Sequence, residues 1–218
     1  MKTIAVFGSS GSTGLKIVRI AEDAGFNVIA ISRRQQLDLP PATRNLVGEL
    51  NDTEMMKKVV SEADYIISAL GHRRTSRNPW AKQTSPETLL TDFYSKFLPI
   101  AKERKQPPKI VHISAAGVGH DWSSLPAWYR FFVTSSNIQL AYGDHANALK
   151  LLSTYPNNLV SVVKPVILND RTSLTAAQSI TLPFSLVKSA VSREAVARFI
   201  ISQIEQSAIY GHEVTLGQ

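Results

Sequence analysis

The sequence predicts a single-domain α/β fold built on a doubly wound parallel sheet, and three observations carry that prediction. Short apolar runs rich in β-branched residues alternate with stretches of helical period along nearly the whole chain. That alternation yields a parallel sheet with helices on both faces. Three glycines, Gly8, Gly11 and Gly14, stand between the first apolar run and the first helical stretch. No internal repeat, low-complexity tract or linker interrupts the 218 residues, a length that suits one domain with a sizeable core.

Residues 3–7 (Thr-Ile-Ala-Val-Phe) read as the first strand, and Leu15, Val18 and Ala21 begin a helical pattern. Between them lies Gly8-Ser9-Ser10-Gly11-Ser12-Thr13-Gly14. A strand that passes through glycines into a helix brings free backbone N–H groups and the positive dipole end to one point, as a diphosphate requires. The first glycine allows a tight turn, the second a close approach of the pyrophosphate, the third close packing of helix on strand. Ser9, Ser10, Ser12 and Thr13 add hydroxyl donors for phosphate oxygens. The spacing is G-x-x-G-x-x-G rather than the common G-x-G-x-x-G, and no Gly-Lys-Ser/Thr follows as a P-loop would need. With a strand before it and a helix after it, the turn is expected to hold a dinucleotide, as in a Rossmann fold.

The second strand is expected over residues 26–31, with Ser32-Arg33-Arg34 at its end. An NAD site usually holds the ribose 2′-hydroxyl there with an acidic residue. Guanidinium groups instead bind a 2′-phosphate, so Arg33 and Arg34 favour NADP(H) over NAD(H). A weak third strand (44–47) leads to a turn at 48–52, expected beside the adenine, where Asp52 caps a helix running to about Ser61. The fourth strand (64–70) ends at Leu70-Gly71, and Gly71 is expected to admit the cofactor ribose closely.

Residues 72–85 form a basic loop bordering the crevice at the strands' carboxyl ends. A helix is expected from Pro86, with Leu89, Phe93, Phe97 and Ile100 as its apolar face and a kink at Pro99. The fifth strand (109–113) ends in Ser114-Ala115-Ala116-Gly117. An aromatic segment (122–132) follows, then a helix over about 135–154, and a sixth strand (159–164) broken by Pro165. Residues 166–188 lack periodicity and are expected to cover a pocket. A helix (193–205) and a strand (212–216) complete the order.

The totals exclude several classes. With no cysteine there is no disulfide scaffold, thiolate metal site or cysteine nucleophile. His72, His120 and His212 show no metal-ligand spacing, so no metal is expected. No run of 18 apolar residues occurs and the first strand starts at residue 3, so the expectation is a soluble cytoplasmic protein without signal peptide or membrane span. The net charge is +7, and nine of the 24 Lys and Arg residues fall between Arg73 and Lys109. Such a balance attracts anionic small molecules. No nucleic-acid reader motif accompanies it. A monomer or homodimer is expected.

The chain resembles the atypical short-chain dehydrogenase/reductases, most closely the small NAD(P)H-binding group that includes biliverdin-IXβ/flavin reductase. The resemblance rests on residues 6–14 (Val-Phe-Gly-Ser-Ser-Gly-Ser-Thr-Gly), 32–34 (Ser-Arg-Arg) and 68–71 (Ser-Ala-Leu-Gly). Residues 112–117 (His-Ile-Ser-Ala-Ala-Gly) and Asp144-His145 before a Leu-Leu helix extend it. It implies NADP(H) contacts from Gly8, Gly11, Thr13, Gly14, Arg33, Arg34, Asp52, Leu70 and Gly71. Ser114 and the Pro165-Val166-Ile167 turn would border the nicotinamide, and Ser114 and His145 match two pocket-lining positions. A histidine the group carries after the sixth strand is replaced by Val166. None of the six tyrosines has Lys four places on; Tyr142 is followed by Ala146.

The candidate catalytic residues are therefore Ser114, His145 and Tyr142. Ser114 would orient an acceptor from a strand's end. Tyr142, His145, Leu149 and Leu152 share one helical face, so His145 is either a core histidine or a proton donor. The expected function is an NADPH-dependent reductase that passes hydride to a planar conjugated acceptor such as a flavin or quinone. The alternative is a regulatory protein that binds NADP(H) without turnover. The acceptor pocket is expected from segments 72–85, 117–137 and 166–188.

Overall fold

A computed structural model describes residues 1–171, 176–180, 190–206 and 211–218. Strand β1 (Thr3–Phe7) feeds helix α1 (Ser12–Asp23), followed by β2 (Asn27–Ser32), β3 (Arg44–Val47), α2 (Thr53–Glu62) and β4 (Tyr65–Ser68). Next come α3 (Leu89–Glu103), β5 (Lys109–Ile113), α4 (Ala127–Thr134), α5 (Ile138–Leu152) and β6 (Val160–Pro165). Short strands β7 (Leu168–Asn169), β8 (Gln178–Ser179) and β9 (Val191–Ser192) precede α6 (Arg193–Gln206) and β10 (Glu213–Gly217). The main sheet runs β3-β2-β1-β4-β5-β6-β10-β8; only the β8–β10 edge is antiparallel.

Side-chain alternation along β1 divides the core into two layers. Ile4 and Val6 face α1 and α6, packing with Ile17, Val18, Val196 and Ile200. Ala5 and Phe7 face α2, α3 and α5, and the Phe7 ring meets Phe93 and Phe97 at 4.8 and 5.6 Å. The strand order reverses beside β1, with β2 and β3 on one side and β4 and β5 on the other, which opens a crevice at the carboxyl ends of β1 and β4, where open α/β sheets bind ligands.

Beyond shifts of one or two residues at element ends, three departures from the sequence expectation have a structural cause. Helix α3 starts at Leu89 rather than Pro86, because the Asp144 carboxylate, reaching over from α5, accepts the Leu90 and Thr91 amides at 2.7 and 3.0 Å. The single helix expected over 135–154 is two: α4 takes in much of the aromatic segment, and α5 begins only after Ser135-Ser136-Asn137. Pro165 does not break the sixth strand. It closes β6, opposite Leu216, with its carbonyl accepting Ala116 N at 3.0 Å. Of the 166–188 segment, β7 and β8 fall among the described residues, while positions 172–175 and 181–188 lie outside them.

Lys164 carries a charge into this core. Its fully buried ammonium donates to Val118 O at 3.0 Å and Asp121 Oδ2 at 2.8 Å, and pairs with Glu213. Removing one partner of such an array strands the others in a poorly solvated place. Lys164→Met should therefore lower the unfolding free energy by roughly 3 kcal/mol. A urea midpoint equal to wild type at neutral pH would show the array to be energetically idle.

Candidate functional site

The crevice is a cleft of about 1090 Å³ lined on one side by Gly8, Ser10, Gly11, Ser12 and Thr13. Gly8 adopts φ +81°, and a Cβ there would lie 2.7 Å from Ala69 O at the end of β4. Gly11 is the N-cap of α1; no side chain caps it and no acidic residue occupies the first turn. The positive helix end thus faces the cleft uncompensated. Gly14 does not line the cleft. A Cβ on it would sit 2.2 Å from Gly8 O, so its lack of a side chain is what seats the helix on the turn.

One of the four hydroxyls is spent on the fold. Ser9 is fully buried, its Oγ 2.8 Å from Ile31 O and 2.6 Å from Gln36 Oε1, so it ties the turn to β2 instead of facing a phosphate. Arg33 lines the cleft from the end of β2. Arg34 is exposed and outside the lining, and its carbonyl accepts the Ser32 hydroxyl at 2.7 Å. Gly48, Glu49, Leu50 and Asn51 form the adjoining wall. Asp52 stands apart from it and accepts Met55 N at 3.0 Å as the α2 cap. Leu70 and Gly71 line the cleft as expected of them. A Cβ on Gly71 would meet nothing within 4 Å, so no protein atom there demands glycine.

The opposite wall is formed by His72, Arg73 and Ser85 of the basic loop expected to border the crevice and by Leu168 of β7, joined by Asp92 and Lys96 of α3 and Arg193 of α6, which sequence reasoning missed. Arg33, Arg73, Lys96 and Arg193 outnumber Glu49 and Asp92, so the cleft attracts anions. The helical period of α3 could have flagged Lys96, which falls one turn beyond Asp92. Arg193 carried no such signal.

The three candidate catalytic residues lie outside the cleft lining. Tyr142 donates to Ala116 O at 3.0 Å and sits 3.4 Å from the Tyr129 hydroxyl. Burial, then Tyr129, pushes its phenol far above the ordinary range, and its hydrogen bond to Ala116 O braces α5 against the loop after β5. His145 is buried, with Nδ1 3.2 Å from His112 Nε2; His112 Nδ1 is 2.9 Å from the Tyr94 hydroxyl. Burial, then the neighbouring His72, pushes His145 down to about 4, and burial likewise drives His112 well below its usual value. Both rings are neutral at neutral pH. Of the two roles open to His145, the geometry supports the core histidine. Ser114 is buried at the end of β5, and its Oγ has no hydrogen-bond partner among the described residues. Pro165 and Val166 are buried, and Ile167 is exposed with its carbonyl accepting Val191 N at 3.0 Å.

The feature with the densest polar chemistry was not anticipated. His72 Nε2 lies 3.0 Å from Asp144 Oδ2, with both side chains almost wholly buried. Asp144 also receives Thr91 Oγ1 at 2.5 Å. Burial alone would raise this carboxyl. Contacts from His72, Thr91 and the Leu90 and Thr91 amides outweigh burial and hold it at about 2. His120, Asp121 and Glu213 also converge, within 4.8 Å of one another, but the Lys164 ammonium already compensates both carboxylates.

A family model described as NAD(P)H-binding matches residues 8–207. The chain belongs to the NAD(P)H-binding family. The uncapped amino end of α1 and the excess of cationic side chains along the cleft are compatible with an anionic nucleotide of this kind. Solved structures share the fold across the family member's full length. A short-chain dehydrogenase/reductase from Veillonella parvula in complex with NADP superimposes with a TM-score of 0.76 at 13% identity, covering 100% of this chain and 94% of that one. ChuY, an anaerobillin reductase from Escherichia coli O157:H7, gives 0.74 at 17%, covering 99% and 96%. The oxidoreductase ylbE from Lactococcus lactis gives 0.74 at 16%, covering 99% and 90%. Among the described residues, no helix of this family member is long and apolar enough to cross a membrane.

Proposed function

We propose that the protein is an NADPH-dependent reductase acting on a small, planar, conjugated acceptor such as a flavin or quinone. The observation that carries the cofactor choice is Arg33 on the cleft wall, at the strand end where an NAD site places a carboxylate. Bound NADPH supplies the hydride; the protein's contribution is position and electrostatics. The α1 amides and Ser10, Ser12 and Thr13 hold the pyrophosphate, and Arg33 holds the 2′-phosphate. In this reading the acceptor lies over the β5 and β6 ends, beside segments 72–85 and 117–137 and the described start of the 166–188 segment.

The ChuY likeness and the missing Tyr–Lys pair suit an acceptor that is already conjugated and needs no strong polarisation. The same missing pair favours the second reading, a regulatory protein that binds NADP(H) without turnover. Purified protein mixed with NADPH and a panel of flavins and quinones decides between them. Oxidation above background is expected; tight binding with none across the panel would support the regulator.

The arginine's role is tested separately. Arg33→Asp should weaken NADPH binding by roughly 10- to 100-fold, the loss of one charge-assisted contact, and leave NADH within about threefold. Calorimetry that finds both nucleotides weakened alike would remove Arg33 from phosphate recognition.

A further inference from the structure

We infer that Ser85, His72 and Asp144 form a proton-supplying wall of the cleft, an inference that rests on the reductase reading. The three come from distant parts of the chain. His72 follows the end of β4, Ser85 closes the basic loop, and Asp144 belongs to α5. Asp144 Oδ2 is 3.0 Å from His72 Nε2, and His72 Nδ1 is 3.2 Å from Ser85 Oγ. His72 and Ser85 line the cleft, while Asp144 lies behind them with its side chain 1% exposed.

Their position in the sheet matters. Strand β4 lies between β1, which carries the glycine turn, and β5. The adenosine end of the cleft is over β2 and β3, on the other side of β1. His72 and Ser85 therefore border the half that receives the nicotinamide and the acceptor.

Hydrogen-bond capacity sets the direction of the relay. Asp144 is held by the Leu90 and Thr91 amides and the Thr91 hydroxyl, so it is a fixed anion; His72 Nε2, 3.0 Å away, is out of line for a hydrogen bond, and the carboxylate favours a hydrogen on that nitrogen through charge. The other ring nitrogen then addresses Ser85. A hydroxyl has two acceptor lone pairs and one O–H donor. Ser85 Oγ accepts Arg73 N at 3.1 Å, and it accepts Nδ1–H when His72 is charged. Its own hydrogen remains free to donate to a molecule in the cleft. The other titratable ring beside His72 is His145, at 6.3 Å between centroids.

The step balances as follows. A neutral acceptor that has taken a hydride carries an extra electron pair and one negative charge. That pair bonds the Ser85 hydrogen as its O–H bond breaks, and Ser85 Oγ takes the Nδ1 proton of the imidazolium. His72 is left neutral, Asp144 remains a carboxylate, and water returns one proton to His72. NADPH, acceptor and one proton give NADP⁺ and the doubly reduced acceptor.

A pair of acceptors isolates this step. A neutral quinone needs one proton beyond the hydride, whereas cationic methylene blue reaches its neutral reduced form with the hydride alone. Ser85→Ala and His72→Asn should each slow quinone turnover about a hundredfold and methylene blue turnover by less than about threefold. Independently of turnover, nitrogen-15 ring shifts at alkaline pH should place the His72 hydrogen on Nε2 in the nucleotide-free wild type and divide it between the Nε2 and Nδ1 tautomers in Asp144→Asn. Equal loss on both acceptors, no loss on either, or a ring pattern unchanged in Asp144→Asn would overturn the inference alone. A wild type that turned over neither acceptor would overturn the reductase reading and this inference with it.

Discussion

Gly14→Ala is expected to weaken nucleotide binding strongly and to destabilise the fold, although residue 14 does not face the cleft. The added Cβ would meet Gly8 O at 2.2 Å, Gly8 C at 2.9 Å and Ser9 Cα at 3.0 Å. All three are backbone atoms, so no rotamer change relieves the overlap. The turn cannot retreat either, because a Cβ-sized space is already missing on its far side, where Gly8 packs on Ala69 and Leu70. Helix α1 must move off β1, and its amides move with it. Overpacking of this kind costs on the order of 3 kcal/mol, and the same displacement should weaken NADPH binding by about a hundredfold. Calorimetry and urea unfolding read the two effects separately. Binding within about threefold of wild type would mean that the helix end does not hold the pyrophosphate.

Acidification is expected to unfold the protein in two stages, the first set by His145. Its folded value of about 4 lies below its ordinary 6.5 because burial, and then the nearby His72, disfavour the charged ring. A depressed value means that the unfolded chain binds the proton first. The associated stability is whole above pH 6.5 and is lost as pH falls towards 4, about 3 kcal/mol in all. His112 adds to the loss in the same direction. Asp144 acts lower: held at about 2 against an ordinary 3.8, it contributes stability that is lost as pH falls through that window. Urea midpoints of wild type and His145→Gln measured at pH 7.5 and pH 4.5 test the first stage. The variant should lose distinctly less on acidification; parallel losses would sink the assignment.

Local features were the ones that could be read in advance. Gly8, Gly11 and Gly14 act through backbone positions within one turn, and Asp52 caps the helix that begins at the next residue. Strands β1 and β5 have the predicted bounds because each is a short run rich in β-branched residues; β3 also has them, although only Leu46 and Val47 of its four residues are apolar. Arg33 was legible because the distance from the glycine turn to the end of β2 is set by one helix and one strand.

Ser9 shows where such reading stops. Its hydroxyl looks like those of Ser10 and Ser12 in the sequence, yet only Ser9 points inward, to Ile31 on the neighbouring strand. Helix α3 starts late for a similar reason, since its cap is a carboxylate 54 positions from Leu90. Tyr142 and His145 share a helical face as expected, but what that face meets (Ala116, Tyr129, His112) is set by packing.

The amino-acid order alone determined the alternation of strands and helices, the glycine turn at the cleft and the sign of charge beside it, because each depends on periodicity or on groups a few residues apart. Tertiary structure alone decided which polar groups were free for chemistry. Partners such as His72 and Asp144, or Lys164 and Asp121, meet through burial and hydrogen-bond satisfaction across the folded core, and no pattern along the chain records that meeting.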